Sequence, residues 1–134
     1  MNGVVVVRSL LANDADLLAK VPDSRIMSGP LPQGTQAPAL SVASISQVDL
    51  NIPAPSGTKF VTERVQVTVL ANSYREKKEV LLAVKRAAAD KRPTTSGLTG
   101  VSVHTDSTSA DAWSPEESLF EQSQDFKVKF NQEI

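Results

Sequence analysis

The sequence predicts an α+β fold: a mostly antiparallel four-stranded sheet with helices packed on one face, in the order α-α-β-β-α-β-β. Three observations carry this. Thr58–Ala71 alternates cleanly, with Val61, Val65, Val67, Val69 and Ala71 on one side and Thr62, Arg64, Gln66 and Thr68 on the other, the period of two of a half-buried strand. Ser73-Tyr74-Arg75-Glu76 then opens an apolar stripe of Tyr74, Val80, Leu81, Val84, Ala87 and Ala88, which reads as a capped amphipathic helix. Residues 119–130 return to period two, placing Phe120, Phe126, Val128 and Phe130 opposite Asp125, Lys127 and Lys129. The strands show no βαβ alternation, so their pairing is read as antiparallel, with the face away from the helices more polar.

Residues 2–21 carry Val4, Val7, Leu10 and Leu11, then Leu17, Leu18 and Val21 after Asn13-Asp14. Two short helices follow, with Asn2 and Asn13 placed as N-caps and Asp14 and Asp16 in the first turn of the second. The four consecutive valines at 4–7 would equally suit a strand, because β-branched residues lower helix propensity. Residues 22–38 hold four prolines and two glycines and keep no period, so they form a long connector. The next strand, 39–48, alternates imperfectly: Leu40 and Val42 lie on one side, while Ala43 and Ile45 are shifted. Residues 49–57, with Pro53, Pro55 and Gly57, exceed a two-residue turn and form a protruding hairpin loop. Pro93 stops the third helix. Residues 98–105 set Val101 and Val103 against Ser102 and His104 as another strand, and the stretch 106–117 is polar loop.

At 134 residues and 14.3 kDa the chain suits one domain, 1–134, with no internal repeat. Folding can bury roughly two thirds of the unfolded surface of a chain this size. The net charge of −1 lacks the cationic excess of a broad phosphate-binding surface and argues against an anionic membrane. With no cysteine there is no disulfide framework, thiolate nucleophile or sulfur-ligated metal. The valine run at 4–7 is far below the ~20 residues of a membrane span, and no cationic segment precedes it, so neither anchor nor signal peptide is expected.

No residue pattern points to catalysis. His104 is the single histidine; it cannot build a multi-histidine zinc site, and GLTGVSVH supplies no nucleophile elbow, so it reads as a solvent-facing or interface residue. The pairs Asp14/Asp16, Asp106/Asp111 and Glu116/Glu117 are explained as helix N-terminal charge and polar loop. Gly97 and Gly100 form no phosphate-binding motif. No cofactor or metal is expected. The cations Arg75, Lys77, Lys78, Lys85, Arg86, Lys91 and Arg92 read first as a solvated helix face and otherwise as a surface for an acidic partner or nucleic acid. Trp113, alone among polar residues, either folds back on the core or anchors a protein interface.

Three segments, in order, resemble the tail-terminator or tail-completion proteins of long-tailed bacteriophages. They are DSRIMSGPLPQGTQAPALSVASIS, ERVQVTVLANSYREKKEVLLAVKRAA and the closing SQDFKVKF. The resemblance implies a structural virion protein of the tail or neck, assembled in the host cytoplasm and not an enzyme. It further implies a homo-hexameric ring that caps the tail tube, stops tube polymerisation and offers a surface for head-to-tail joining. Its partners would be itself, the tail tube protein and the head-tail connector or neck protein. No membrane and no specific nucleic-acid binding is implied, and the lumen remains a passage for DNA. On this reading the interface candidates are Asn51, Ile52, Pro53 and Pro55 in the hairpin loop, Leu31, Pro32 and Gln33 in the connector, Trp113 in the 106–116 loop, and Arg75 and Lys78. The alternatives are a neck or head-completion adaptor and a monomeric α+β nucleic-acid or protein binding module; a small hydrolase ranks last.

Overall fold

A computed structural model describes residues 3–32, 34–51, 57–94 and 97–133. The chain runs α1 (Gly3–Ala12), α2 (Ala15–Leu18), a 3₁₀ turn (Asp23–Arg25), β1 (Ile26–Ser28), β2 (Ala39–Leu50), β3 (Thr58–Ala71), α3 (Tyr74–Ala88), β4 (Leu98–Thr108), β5 (Ala112–Ser114) and β6 (Leu119–Glu133). The α+β class stands, but the sheet has six strands rather than four and is mixed, and the order of helices and strands is α-α-β-β-β-α-β-β-β rather than α-α-β-β-α-β-β. The sheet runs β1-β2-β3-β6-β4, with β5 on β6, and β1 lies parallel to β2. The four long strands are the expected antiparallel set. The additions are three-residue strands inside what the sequence presents as the 22–38 connector and the 106–117 loop. Each is too short to show a period and exists because a longer neighbour offers it an edge.

Helices cover one face of the sheet. Val6, Val7, Leu11, Leu17, Val80 and Val84 meet the inward row of Val61, Val65, Val67, Val69, Phe126, Val128 and Phe130, all almost wholly buried. The valines at 4–7 are helical, because two of them seal this core. Asp14, not Asn13, caps α2, its Oδ1 accepting the Leu17 N–H at 2.9 Å. Asn13 instead donates back to the Ser9 carbonyl at 2.7 Å, and Asn2 lies outside the described residues. The third helix ends at Ala88, well before Pro93. Ala89 is extended, and Lys91 bridges to Val103 of β4, so pairing with the sheet draws the chain out of the helix first.

Glu63 shares the inward row and is 0% exposed. Its Oε1 accepts the Gly3 N–H at 2.8 Å and the Gln47 amide at 2.6 Å, while Oε2 is buried with no partner among the described residues. The first turn of α1 has no acidic residue of its own. A carboxylate from β3 therefore meets the free N–H groups and positive end of that helix.

β2 changes phase part-way along. Its register with β3 runs from Ala39↔Leu70 to Ser44↔Val65 and resumes at Ser46↔Arg64, so Ile45 is the extra residue of a β-bulge. Before it, Leu40 and Val42 face the helices and are buried. After it, Gln47 and Asp49 oppose Glu63 and Val61 on that side. Val48 and Leu50 turn to the open face opposite Thr62 and Phe60, and are 65% and 60% exposed. The rest of the open face is polar, as expected. Asp125 accepts from the Arg64 guanidinium at 2.6 Å and from Gln66 at 3.2 Å, and Thr68 pairs with Ser123.

Candidate assembly surface

The capping box forms at the start of α3: Ser73 Oγ accepts the Glu76 N–H at 3.1 Å, and Glu76 Oε1 reaches back to the Asn72 N–H at 2.9 Å. Asn72 also donates to the Ala37 carbonyl at 3.0 Å, tying the end of the connector to the helix start. This fixes Tyr74 in the first turn, beside the β5–β6 hairpin. The Tyr74 ring meets Phe120 edge-on at 6.5 Å, and Trp113 stacks on Phe120 at 6.0 Å. Trp113 and Tyr74 remain 59% and 50% exposed. The indole thus packs back on the domain and still presents a face to solvent, combining the two readings its sequence position allows.

Charges brace these rings. Lys77, counted by sequence among a solvated cluster, is 0% exposed. It falls on the inner side of α3, where its ammonium lies 4.6 Å from the Tyr74 ring centre and donates to Asp111 Oδ1. Lys78 donates to the same oxygen at 3.0 Å and to Gln122 Oε1 at 2.9 Å. The Tyr74 hydroxyl donates to Asp111 Oδ2 at 3.2 Å. Hydrogen bonds from Lys77 and then Lys78 hold the Asp111 carboxyl down at about 2, from an ordinary 3.8. Lys78 is shifted up, chiefly by its bond to Asp111.

A carboxyl whose pKa is lowered by folding contributes stability above its unfolded value, and that contribution is lost as pH falls through the folded value. The tie between α3 and the 109–118 segment should therefore hold above about pH 4 and release towards pH 2. Trp113 is the one tryptophan, so its emission reports on this segment. We expect it to stay constant from pH 7 to about 4 and shift red below. Asp111→Asn should show the red-shifted emission at pH 7, and identical spectra for the two proteins would show that the ion cluster does not hold the segment.

The site residues named from sequence separate into two ends of β3. Trp113 and Lys78 come together at the Ala71 end, with Arg75 on the same helical turn facing outward and paired with Glu79 at 3.0 Å. Asn51 lies at the far end, accepting from Lys59 at 2.7 Å. For a strand of 14 residues the separation is about 44 Å. Leu31 is half-buried and Pro32 exposed, and the Pro32 carbonyl accepts the Thr35 N–H at 3.2 Å. Gln33, Ile52, Pro53 and Pro55 lie outside the described residues. His104 is exposed and bonds only Ser102 Oγ among the described residues. Nothing in the sequence marks Tyr74, Lys77, Asp111 and Phe120, which build the cluster, as site residues; only their joint position around Trp113 does. Among the described residues no three His, Cys, Asp or Glu stand close enough to hold a metal ion, and no helix is long and apolar enough to cross a membrane.

Residues 5–130 match the family described as Tail completion protein gp17. The chain belongs to this family. The tail-completion resemblance drawn from the three segments is thus the family that the whole domain matches. The fold of this family member is also that of a chain in a solved structure titled "Virion of native gene transfer agent (GTA) particle", with TM-score 0.67 and 16% identity over 93% of this chain and 91% of that one. No curated protein matches the sequence.

Proposed function

We propose that this tail-completion family member is a structural component of a phage or phage-like virion, assembling into a closed ring that caps the tail tube, halts tube growth and presents the head-joining surface. The observation that carries the reading is the family match over residues 5–130. The form of the molecule supports it. Five of its eight exposed large apolar residues among those described gather in two unlike patches, Val48, Leu50 and Phe60 at one end of β3 and Tyr74 and Trp113 at the other, while Val5, Ile45 and Leu82 lie apart. Unlike patches favour head-to-tail contacts, which close into rings where the rotation allows, and a ring with two different faces can bind tube at one and refuse it at the other. Homo-hexamerisation, the tube protein and the neck protein are the partners this reading requires. A neck adaptor is the neighbouring alternative.

Six copies of a 14.3 kDa chain give a ring of about 86 kDa. Light scattering after size exclusion should find that species, alone or once tube ends are supplied. Added to polymerising tube protein, the chain should shorten tubes and decorate one end in electron micrographs. Unchanged tube lengths with undecorated ends would overturn the capping role.

A further inference from the structure

The sheet has two unlike borders. On one side β1 pairs only with residues Leu40–Val42 of β2, so beyond the bulge the outer edge of β2 meets no strand among the described residues. On the other side β4 is the border, met from outside among the described residues by the one bridge of Lys91 to Val103. Unpaired strand edges with flanking apolar residues are templates for another strand. Here the β2 arm carries exposed Val48 and Leu50 with Phe60 beside them, 37% exposed.

The arm carries the single charge of Asp49, and the exposed segment Asp90-Lys91-Arg92 that flanks β4 carries a net charge of +1. Asp49, on the arm, has no ion pair among the described residues; neither do Lys91 and Arg92, which flank β4. All three are exposed.

We propose that the outer edge of β2 beyond Ile45 receives the β4 border of a second copy of this chain, Asp49 of one subunit meeting Lys91 and Arg92 of the next. The inference rests on the ring reading above and names its contact. A strand edge supplies a row of backbone hydrogen bonds, the arm's apolar side chains gain cover, and the charge pair fixes which border is chosen. Because the borders differ, each subunit donates one and accepts the other, and the sheet continues from copy to copy.

Two measurements test it, both on the full chain. Asp49→Arg should convert the ring to a 14.3 kDa monomer, and adding Lys91→Glu with Arg92→Glu should restore the ring. Far-UV circular dichroism of each variant confirms that these surface changes leave the fold intact. The chain has no native cysteine, so Asp49→Cys combined in turn with Lys91→Cys, Arg92→Cys or Ser102→Cys should give, on oxidation, a ladder of covalent multimers for at least one pair. A ring that survives Asp49→Arg and yields no ladder overturns this contact while the ring itself stands. A chain that stays monomeric at every concentration and on tube ends overturns both.

Discussion

Phe126→Ala is expected to lower the free energy of unfolding by roughly 3–5 kcal/mol, the range for deleting a buried aromatic ring. Phe126 is 0% exposed and sits in the central strand of the covered face, opposite Val65 on β3 and Thr105 on β4. The chain has only four phenylalanines, and β-branched valines stiff at χ1 form most of the surrounding wall. Such a wall closes poorly around a lost ring, so the cavity cost should lie towards the upper end. Domains of this kind are stable by about 5–15 kcal/mol, which makes the loss a large fraction of the whole, equivalent to a fall in Tm of roughly 10–20 °C. Urea titration with an unchanged slope would check it. A loss below about 1 kcal/mol would show that the helices can settle onto the sheet without the ring.

The second large effect is expected at Gly3. A Cβ there would stand 2.9 Å from Val65 Cγ2, 3.1 Å from Glu63 Cδ and 3.2 Å from Val128 Cβ. Replacing glycine inside a helix is ordinarily favourable by up to about 1 kcal/mol. Here it must also push α1 away from the sheet, and overpacking a tight contact costs roughly 1–3 kcal/mol. The clash wins, and more so for a branched side chain, because the same movement draws the Gly3 N–H from Glu63. Gly3→Val should therefore destabilise by roughly 2–3 kcal/mol and speed amide exchange in the first turns of α1. A raised urea midpoint would mean that the helix start is not held against β3.

What the sequence shows of this fold is what is local. The four long strands and α3 are legible because period two, period 3.6 and a capping box are written within each segment. β1 and β5 are not, since three residues carry no period and their partners decide them. Glu63 and Lys77 mislead for a related reason. Their charge reads as surface, yet each is buried by a partner far along the chain: the Gly3 amide for Glu63, Asp111 for Lys77. The aromatic cluster shows the same division. Trp113 and Lys78 stand out by type, while Tyr74 and Phe120 look like ordinary members of apolar rows until the β5–β6 hairpin folds over α3.

The irregular alternation of β2 was the trace of the bulge at Ile45, and it means that one strand is read in two frames. On paper Leu40, Val42, Val48 and Leu50 share one parity and would make a single apolar row. In the sheet the first pair seals the interior and the second is delivered to the outside. Cohesion within the subunit and adhesion between molecules are therefore spelled with the same residue types, and what separates them is a count. Flattening the bulge at unchanged length, with Ile45 drawn into regular pairing, would turn the outer pair inward and withdraw Gln47 from Glu63 without a change in any residue. The placement of one bulge is thus as much a determinant of the molecule's social behaviour as the chemistry of the strand.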